Sequence, residues 1–276
     1  MILDERLGCG GTSDVYRSGV RAVKIPRHTS TKIVAQYEHE HAALEDLKRA
    51  GCDGVPQSLL GVWAGADRVA FAAKWPVLFL TPVGTPLVTI VSRTPSGARR
   101  RLVNFVMRGV VQVLQRCHGA GLVHCDVRPE NIVLLADAAE PSRIVRVILA
   151  DWGLCRRSGD DCRGIGQPLY AHEDVFCGRG VCPASPWVDL VSAAYTFVAL
   201  LHGVCAGRAP WNLIEETTTN RSVWFSEHAG RDIVRAVDDF VSGIRGGDIS
   251  EKYGALTRMC GEGVCAHPHA FVSLLM

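Results

Sequence analysis

The 276-residue sequence has no long apolar run, no large charge imbalance and no closely paired cysteines. Its longest apolar stretch, residues 190–201, falls well short of the roughly 20 residues that span a bilayer, and Asp189 stands at its head. No membrane partner is therefore expected. The formal charge of +2 supplies no cationic surplus for a nucleic acid, so none is predicted as a partner. The opening MILDERLG carries acidic residues where a secretory leader needs a basic flank and an apolar core. An intracellular address, cytoplasmic or nuclear, is the expectation, with the 11 cysteines as reduced thiols. Cys155, Cys162, Cys177 and Cys182, with His172 among them, are spaced too irregularly for a zinc site and include no CxxC pair. The triple arginine 99–101 reads as a solvated helix start. There is no repeat and no low-complexity tract.

What is present is 47% hydrophobic and 21% charged, enough to bury a sizeable core in one large domain or two lobes. Residues 2–25 alternate apolar segments with a glycine cluster, as strand, turn and strand would. Residues 31–49 carry helix formers with Leu44 and Leu47 at helical spacing. Apolar segments at 55–63 and 68–80 suggest two strands around a turn at 65–67. The stretch 82–86 (PVGTP) is the linker candidate. Beyond it the pattern predicts a helix over about 99–117, short β runs at 131–135 and 144–150, and a helix over about 187–202. The order is a β-rich N-lobe (about 1–80), a hinge (about 80–86) and a mainly helical C-lobe (about 87–276), an α+β arrangement with a cleft between the lobes.

Four groups of residues carry chemistry. Gly8, Cys9, Gly10, Gly11, Thr12, Ser13, Asp14 and Val15 form a glycine-rich turn between strands, where backbone N–H groups can close over a phosphate chain that any Cβ would crowd. Ser13 takes the third position of the usual GxGxxG, and is small enough to serve. Ala22, Val23 and Lys24 end the following strand. In the helix after it, Glu40 has Ala43 and Leu44 one turn on, a register that aims it at Lys24; Glu38 competes for that role. His124, Cys125, Asp126, Val127, Arg128, Pro129, Glu130 and Asn131 form an HxDxxPxN loop, in which Asp126 would accept a hydroxyl proton and Asn131 would hold a metal. Asp151, Trp152 and Gly153 follow an apolar strand, a placement that presents the Asp151 carboxylate to Mg²⁺.

In this order the motifs resemble the eukaryotic-type protein kinase superfamily from Leu7 nearly to the C-terminus. GLVHCDVRPENIVLL is similar to the kinase catalytic loop, ILADWGL to the DFG segment, and GQPLYAHE to the end of an activation segment with Glu173 at the APE glutamate. VDLVSAAYTFVALLHG resembles the buried C-lobe helix in which Asp189 would bind catalytic-loop amides, and Pro210-Trp211 sits where kinases often carry a Pro-aromatic pair. The resemblance implies a bilobal fold, ATP and Mg²⁺ as cofactors, and protein Ser/Thr hydroxyls as acceptors. It implies that Lys24 held by Glu40 grips the α and β phosphates under Gly8, Gly10, Gly11, Ser13 and Val15. Ala22, Leu80 and Pro82 would line the adenine site, Asn131 and Asp151 would bind metal, Asp126 would be the base, and Arg128 would stabilise charge on the γ-phosphate. The accumulated departures also resemble kinases of large DNA viruses, herpesviruses among them.

The departures set further expectations. Cys125 replaces the arginine that reads an activation-loop phosphate, and only Ser158 and Tyr170 carry hydroxyls between Asp151 and Glu173. Activity without activation-loop phosphorylation is therefore expected. With Phe79 as gatekeeper, Pro82 would stand where an N–H normally meets adenine, and weaker ATP binding would follow. His172 replaces the APE proline, and His267 stands in for the arginine partner of Glu173. Two other readings share parts of this pattern: a small-molecule phosphotransferase of aminoglycoside- or choline-kinase type, and a pseudokinase scaffold. The glycine-rich loop and GQPLYAHE weigh against the first; the complete set Lys24, Glu40, Asp126, Asn131 and Asp151 weighs against the second.

Overall fold

The computed structural model describes residues 3–28, 30–63, 75–137, 139–140, 143–176, 180–201 and 248–260. Expectations for residues 68–74, Cys177, Pro210-Trp211 and His267 lie outside the described residues.

The N-lobe is a five-stranded antiparallel sheet built from β1 (Arg6–Cys9), β2 (Ser13–Ser18), β3 (Arg21–Pro26), β4 (Gln57–Trp63) and β5 (Trp75–Thr81), in the order β1-β2-β3-β5-β4. Helix α1 (Thr31–Arg49) packs on one face. Ser30 caps it by accepting a hydrogen bond from the Ile33 N–H at 3.2 Å, and Lys48 and Arg49 sit favourably at the negative end of the helix dipole. Its buried stripe runs Ile33, Tyr37, Glu40, Leu44, Leu47 at the 3–4 residue spacing of one helix face. One member, Glu40, is a carboxylate, and that exception locates the site.

After β6 (Thr85–Pro86) the C-lobe begins with α2 (Leu87–Arg93) and α3 (Ser96–Gly119). Sequence pattern does not foresee α2, because Val88, Thr89, Ile90 and Val91 favour strand over helix. Burial of Leu87, Ile90 and Val91 overrides that preference. Strand β7 (Leu122–Val123), a 3-10 turn at Pro129–Asn131, and the hairpin β8 (Ile132–Ala136)–β9 (Ile144–Leu149) follow. Next come β10 (Arg156–Arg157), the short α4 (Glu173–Phe176), α5 (Pro186–Leu201) and α6 (Ile249–Met259). Among the described residues no helix is long and apolar enough to cross a membrane.

Helix α5 is buried without interruption from Val188 to Leu200, as a helix enclosed by its own lobe must be. Its one charge, Asp189, accepts hydrogen bonds from the backbone N–H groups of His124 (2.7 Å) and Cys125 (2.8 Å). The His118 ring adds a third contact at 2.7 Å, and its other nitrogen meets the Tyr253 hydroxyl on α6. Burial pushes the Asp189 carboxyl upward, but His118 and the His124 N–H more than offset it and leave the group below its ordinary range. From the same helix, the Thr196 hydroxyl donates to the Val127 carbonyl at 3.1 Å. The loop that carries Asp126 is thus hung from α5 at both ends.

Replacing Asp189 with Ala strands two buried backbone donors. We expect it to lower unfolding free energy by about 3 kcal/mol or more, read by urea titration. A change under about 1 kcal/mol would show that the loop finds other support.

Candidate active site

Lys24 lies on β3, directly opposite Leu78 of β5, with its ammonium in a carboxylate pocket. Its Nζ donates to Glu40 Oε2 at 2.7 Å and to Asp151 Oδ1 at 2.6 Å. The structure therefore pairs Glu40, not Glu38, with Lys24. The two carboxylates differ in setting. Glu40 is fully enclosed, so burial wins and its carboxyl is raised above the usual range despite Lys24. The Asp151 side chain is 39% exposed; burial also pushes it upward, but the Lys24 charge and hydrogen bond prevail and hold it low. Lys24 is raised, because its two carboxylates outweigh the cost of burial. It is a fixed cation at neutral pH.

Asp151 ends the β8–β9 hairpin in left-handed backbone geometry (φ 64°, ψ 68°), a costly conformation for a residue with a Cβ. That twist turns its side chain back toward Lys24. Two residues on, Gly153 lets α1 approach: a Cβ there would sit 3.1 Å from Gln36 Nε2 and 3.3 Å from Glu40 Oε2. Trp152 is wholly buried; its indole N–H donates to the Leu149 carbonyl at 2.9 Å, and its ring packs edge-on against His124 at 4.6 Å.

Asp126 is positioned from three sides. Asn131 Nδ2 donates both to the Asp126 carbonyl (2.8 Å) and to its Oδ2 (2.9 Å), and Arg128 Nε lies 3.1 Å from the same Oδ2. Oδ2 thereby carries both the Asn131 hydrogen bond and the Arg128 ion pair, which favours Oδ1 as the oxygen to take a proton. With Nδ2 committed, Asn131 has its carbonyl oxygen left for a cation. Burial raises the Asp126 carboxyl above its ordinary range, against the lowering pull of Arg128 and His124.

The glycine-rich turn joins β1 to β2, closed by a Gly10 N–H to Ser13 carbonyl bond of 2.8 Å. A Cβ on Gly8 or Gly11 would meet no protein atom within 4 Å, so the space beside them is open for a ligand. Ser13 is instead buried and accepts a hydrogen bond from the Tyr37 hydroxyl at 2.9 Å. Val15 pairs with Lys24, and Asp14 is clamped by Arg27 (2.9 Å) and Arg6 (2.7 Å).

The hinge requires a correction. Opposed residues share a face of a sheet, and β3–β5 pairing sets Ala22 against Leu80, Lys24 against Leu78, and Val23 against Phe79. Phe79 therefore lies on the face away from Lys24, packed with Val23, Ile25 and Val77. The residue beside the cleft at the end of β5 is Leu80, and a hinge count begun there moves by one. A hinge counted from Leu80 rather than Phe79 would set Val83, which has an N–H, in the place expected of Pro82. Pro82 itself follows β5 through a cis peptide bond and lines a shallow cavity with Gln57, Asp53, Lys48 and Arg146.

Sequence reasoning missed Gly166. At φ +89° it packs so tightly on the catalytic loop that a Cβ would fall 2.2 Å from the Cys125 carbonyl oxygen and 3.8 Å from Asp126 Oδ1. The demand comes from two segments meeting in space, and the local sequence carries no sign of it. His172 packs edge-on against Trp187 (5.3 Å, 87°), and its Nδ1 accepts from the Asp174 N–H at 3.1 Å. Arg100 and Arg101 are exposed at the start of α3. Among the described residues no three His, Cys, Asp or Glu side chains are grouped to hold a metal ion on their own.

Glycines over open space, a buried lysine between two carboxylates, and an Asp/Asn pair with oxygens to spare fit a nucleotide triphosphate chain carrying a divalent cation. Comparison with known proteins points the same way. Residues 74–238, more than half of the chain, match the family model described as protein kinase domain. The chain is 27% identical over 190 residues to serine/threonine-protein kinase D3 of Mus musculus, an overlap of 64% of this chain and 20% of the relative. It is 34% identical over 102 residues to serine/threonine-protein kinase PEPKR2 of Arabidopsis thaliana (36% and 19%). It is 28% identical over 173 residues to 3-phosphoinositide-dependent protein kinase 1 of Arabidopsis thaliana (56% and 33%). The matches thus span between 19% and 33% of these relatives' lengths.

Gly166→Ala should prise the 156–173 segment off the catalytic loop. Tryptic cleavage at Arg157 and Arg163 in the native protein should accelerate by about tenfold or more, since strain of 1–3 kcal/mol raises the open population by that order. Unchanged cleavage would show that the close approach is not constraining.

Proposed function

The chain belongs to the protein kinase family, and on that premise we propose that it transfers the γ-phosphoryl group of ATP to serine and threonine hydroxyls of protein substrates. The observation that carries the proposal is the complete and mutually oriented charged set: Lys24 bonded to both Glu40 and Asp151, with Asp126 held by Asn131 and Arg128.

Each residue then has a task. Lys24, anchored by Glu40, grips the α and β phosphates while the glycine-rich turn covers them. Asn131 and Asp151 would hold a divalent cation, proposed to be Mg²⁺, which when bound neutralises charge on the phosphates. Asp126 uses Oδ1 to orient the acceptor hydroxyl and receive its proton. Arg128, beside Asp126, lies where it can offset negative charge growing on the transferred group. Ala22 and Leu80 share the face of the sheet that would receive adenine, with the Val83 N–H as its backbone partner.

Three features support serine/threonine acceptors and independence from activation-loop phosphorylation. The Arg128-Pro129-Glu130-Asn131 run resembles that subtype, and the serine/threonine kinases named above share the similarity. Helix α1 is held against the segment after Asp151 by unmodified groups: the His39 ring contacts the Cys155 carbonyl at 2.9 Å, and Arg157 pairs with Asp46 at 2.7 Å. Of the two hydroxyl residues in that segment, Tyr170 is buried and only Ser158 is exposed.

Asp126→Asn should cut phosphoryl transfer by about 10²–10⁴-fold, the usual contribution of a general base, while ATP binding followed by calorimetry persists. Retained transfer would sink the assignment. The acid limb of kcat/KM for the parent protein should lie above the ordinary aspartate range, because Asp126 is raised and must be unprotonated to act; activity falls as pH drops through it. Arg128→Gln removes the main lowering influence, so the limb should move to higher pH; an unmoved limb would dissociate it from Asp126.

A further inference from the structure

Cys125 stands where a regulated kinase would read a phosphate, and the structure shows what it faces instead. Its backbone is left-handed (φ 65°), and its thiol is buried in a pocket walled by Val123, Ala171, Val175, Ala184 and Val188. Two further thiols close that pocket, Cys162 and Cys182, from segments on either side of α4. The segments run antiparallel: the Cys162 N–H donates to the Cys182 carbonyl (2.8 Å), the Ala184 N–H to the Asp160 carbonyl (2.7 Å), and the Cys182 N–H to Asp161 Oδ1 (2.9 Å). This pairing holds the sulfurs of Cys162 and Cys182 3.7 Å apart.

We propose that Cys162 and Cys182 form a peroxide-oxidisable dithiol, a modification site that closes to a disulfide and ties the activation segment to the segment leading into α5. Three observations support it. The sulfurs need to approach by only about 1.7 Å to reach the roughly 2.0 Å bond of a disulfide, and the paired backbones already align them. Both thiols are buried but their chain neighbours are at the surface: Asp160 and Asp161 are exposed, and Val181, next to Cys182, is 70% exposed. The two thiols are unequal. Cys162 is lowered, because the neighbouring Cys125 and Cys182 thiols favour its thiolate against the opposing effect of burial. Cys182, by contrast, is raised, chiefly by burial. Cys162 is therefore the attacking sulfur and Cys182 the resolving one.

The chemistry balances with hydrogen peroxide as the two-electron oxidant. The Cys162 thiolate attacks one peroxide oxygen and breaks the O–O bond, giving a sulfenic acid and a hydroxide that leaves as water. The Cys182 thiol then loses its proton and attacks the sulfenic sulfur. The S–O bond breaks, a second water departs and the disulfide remains. Two thiols are oxidised, one peroxide is reduced to two waters, and a dithiol such as dithiothreitol reverses the step. The third thiol, Cys125, whose S–H meets the Val123 carbonyl at 3.6 Å, stays reduced.

The test is chemical and does not depend on phosphoryl transfer, so it fails or succeeds separately from the functional reading. The reduced full-length chain is exposed to stoichiometric hydrogen peroxide, quenched with N-ethylmaleimide, digested without reduction and mapped by mass spectrometry. The expected result is a Cys162–Cys182 cross-link that forms ahead of any other pair and disappears with dithiothreitol. Cys182→Ser should leave a Cys162 sulfenic acid trapped by dimedone, and Cys182→Ala should do the same. Cys162→Ser should lower oxidation of Cys182 at least tenfold. A Cys162 that remains free while exposed Cys9 oxidises would overturn the proposal, as would a cross-link from Cys162 to Cys125.

Discussion

A single ammonium group joins three parts of this protein that are remote in sequence. Lys24 on β3 meets Glu40 on α1 and, 127 residues further along the chain, Asp151 at the end of the β8–β9 hairpin. The constraint is electrostatic. Glu40 sits in the middle of an apolar helix stripe, where an unpaired carboxylate would be costly, so α1 can bury that face only with Lys24 beside it. Gly153 permits the approach because any side chain there would press on Gln36 and Glu40. Sheet, helix and the Asp151 carboxylate are therefore fixed by one charge balance.

A second anchor does for the C-lobe what Lys24 does for the N-lobe. Asp189 is the sole charge in an otherwise apolar α5, and its oxygens are spent on the backbone of His124 and Cys125 and on the ring of His118. The strained backbone at Cys125 is held by these bonds, and the loop beyond it delivers Asp126, Arg128 and Asn131 with their side chains already paired. Both anchors place a buried acid where local sequence pattern calls for an apolar residue. The two departures from pattern are what bring the reacting groups into register.

Much of the site is legible in the sequence because its chemistry is local. The HxDxxPxN run, the Asp-Trp-Gly turn and the strand ending at Lys24 each name their residues, and the choice of Glu40 over Glu38 follows from which face of α1 is apolar. Other features depend on geometry that spacing alone does not carry. Phe79 reads as the cleft residue until strand pairing shows that the pleat turns it away from Lys24, which would move the expected hinge position from Pro82 to Val83. Helix α2 is hidden by its β-branched residues, and only burial of one face makes it helical. Gly166 is required by the Cys125 carbonyl, far away in sequence. The pairing of Cys162 with Cys182 likewise appears only once the activation segment folds back on itself. Departures from family pattern, Cys125 above all, are plain in the sequence, but what replaces the missing contact is not.

The central claim is that this charged set drives phosphoryl transfer from ATP to protein hydroxyls. It is tested most directly by incubating the chain with γ-labelled ATP and Mg²⁺, offering generic protein substrates, aminoglycosides and choline in parallel, and hydrolysing the labelled protein to identify the phosphorylated amino acid. The account predicts label on protein, recovered as phosphoserine and phosphothreonine. Label on a small molecule instead, or no transfer to any acceptor, would contradict it.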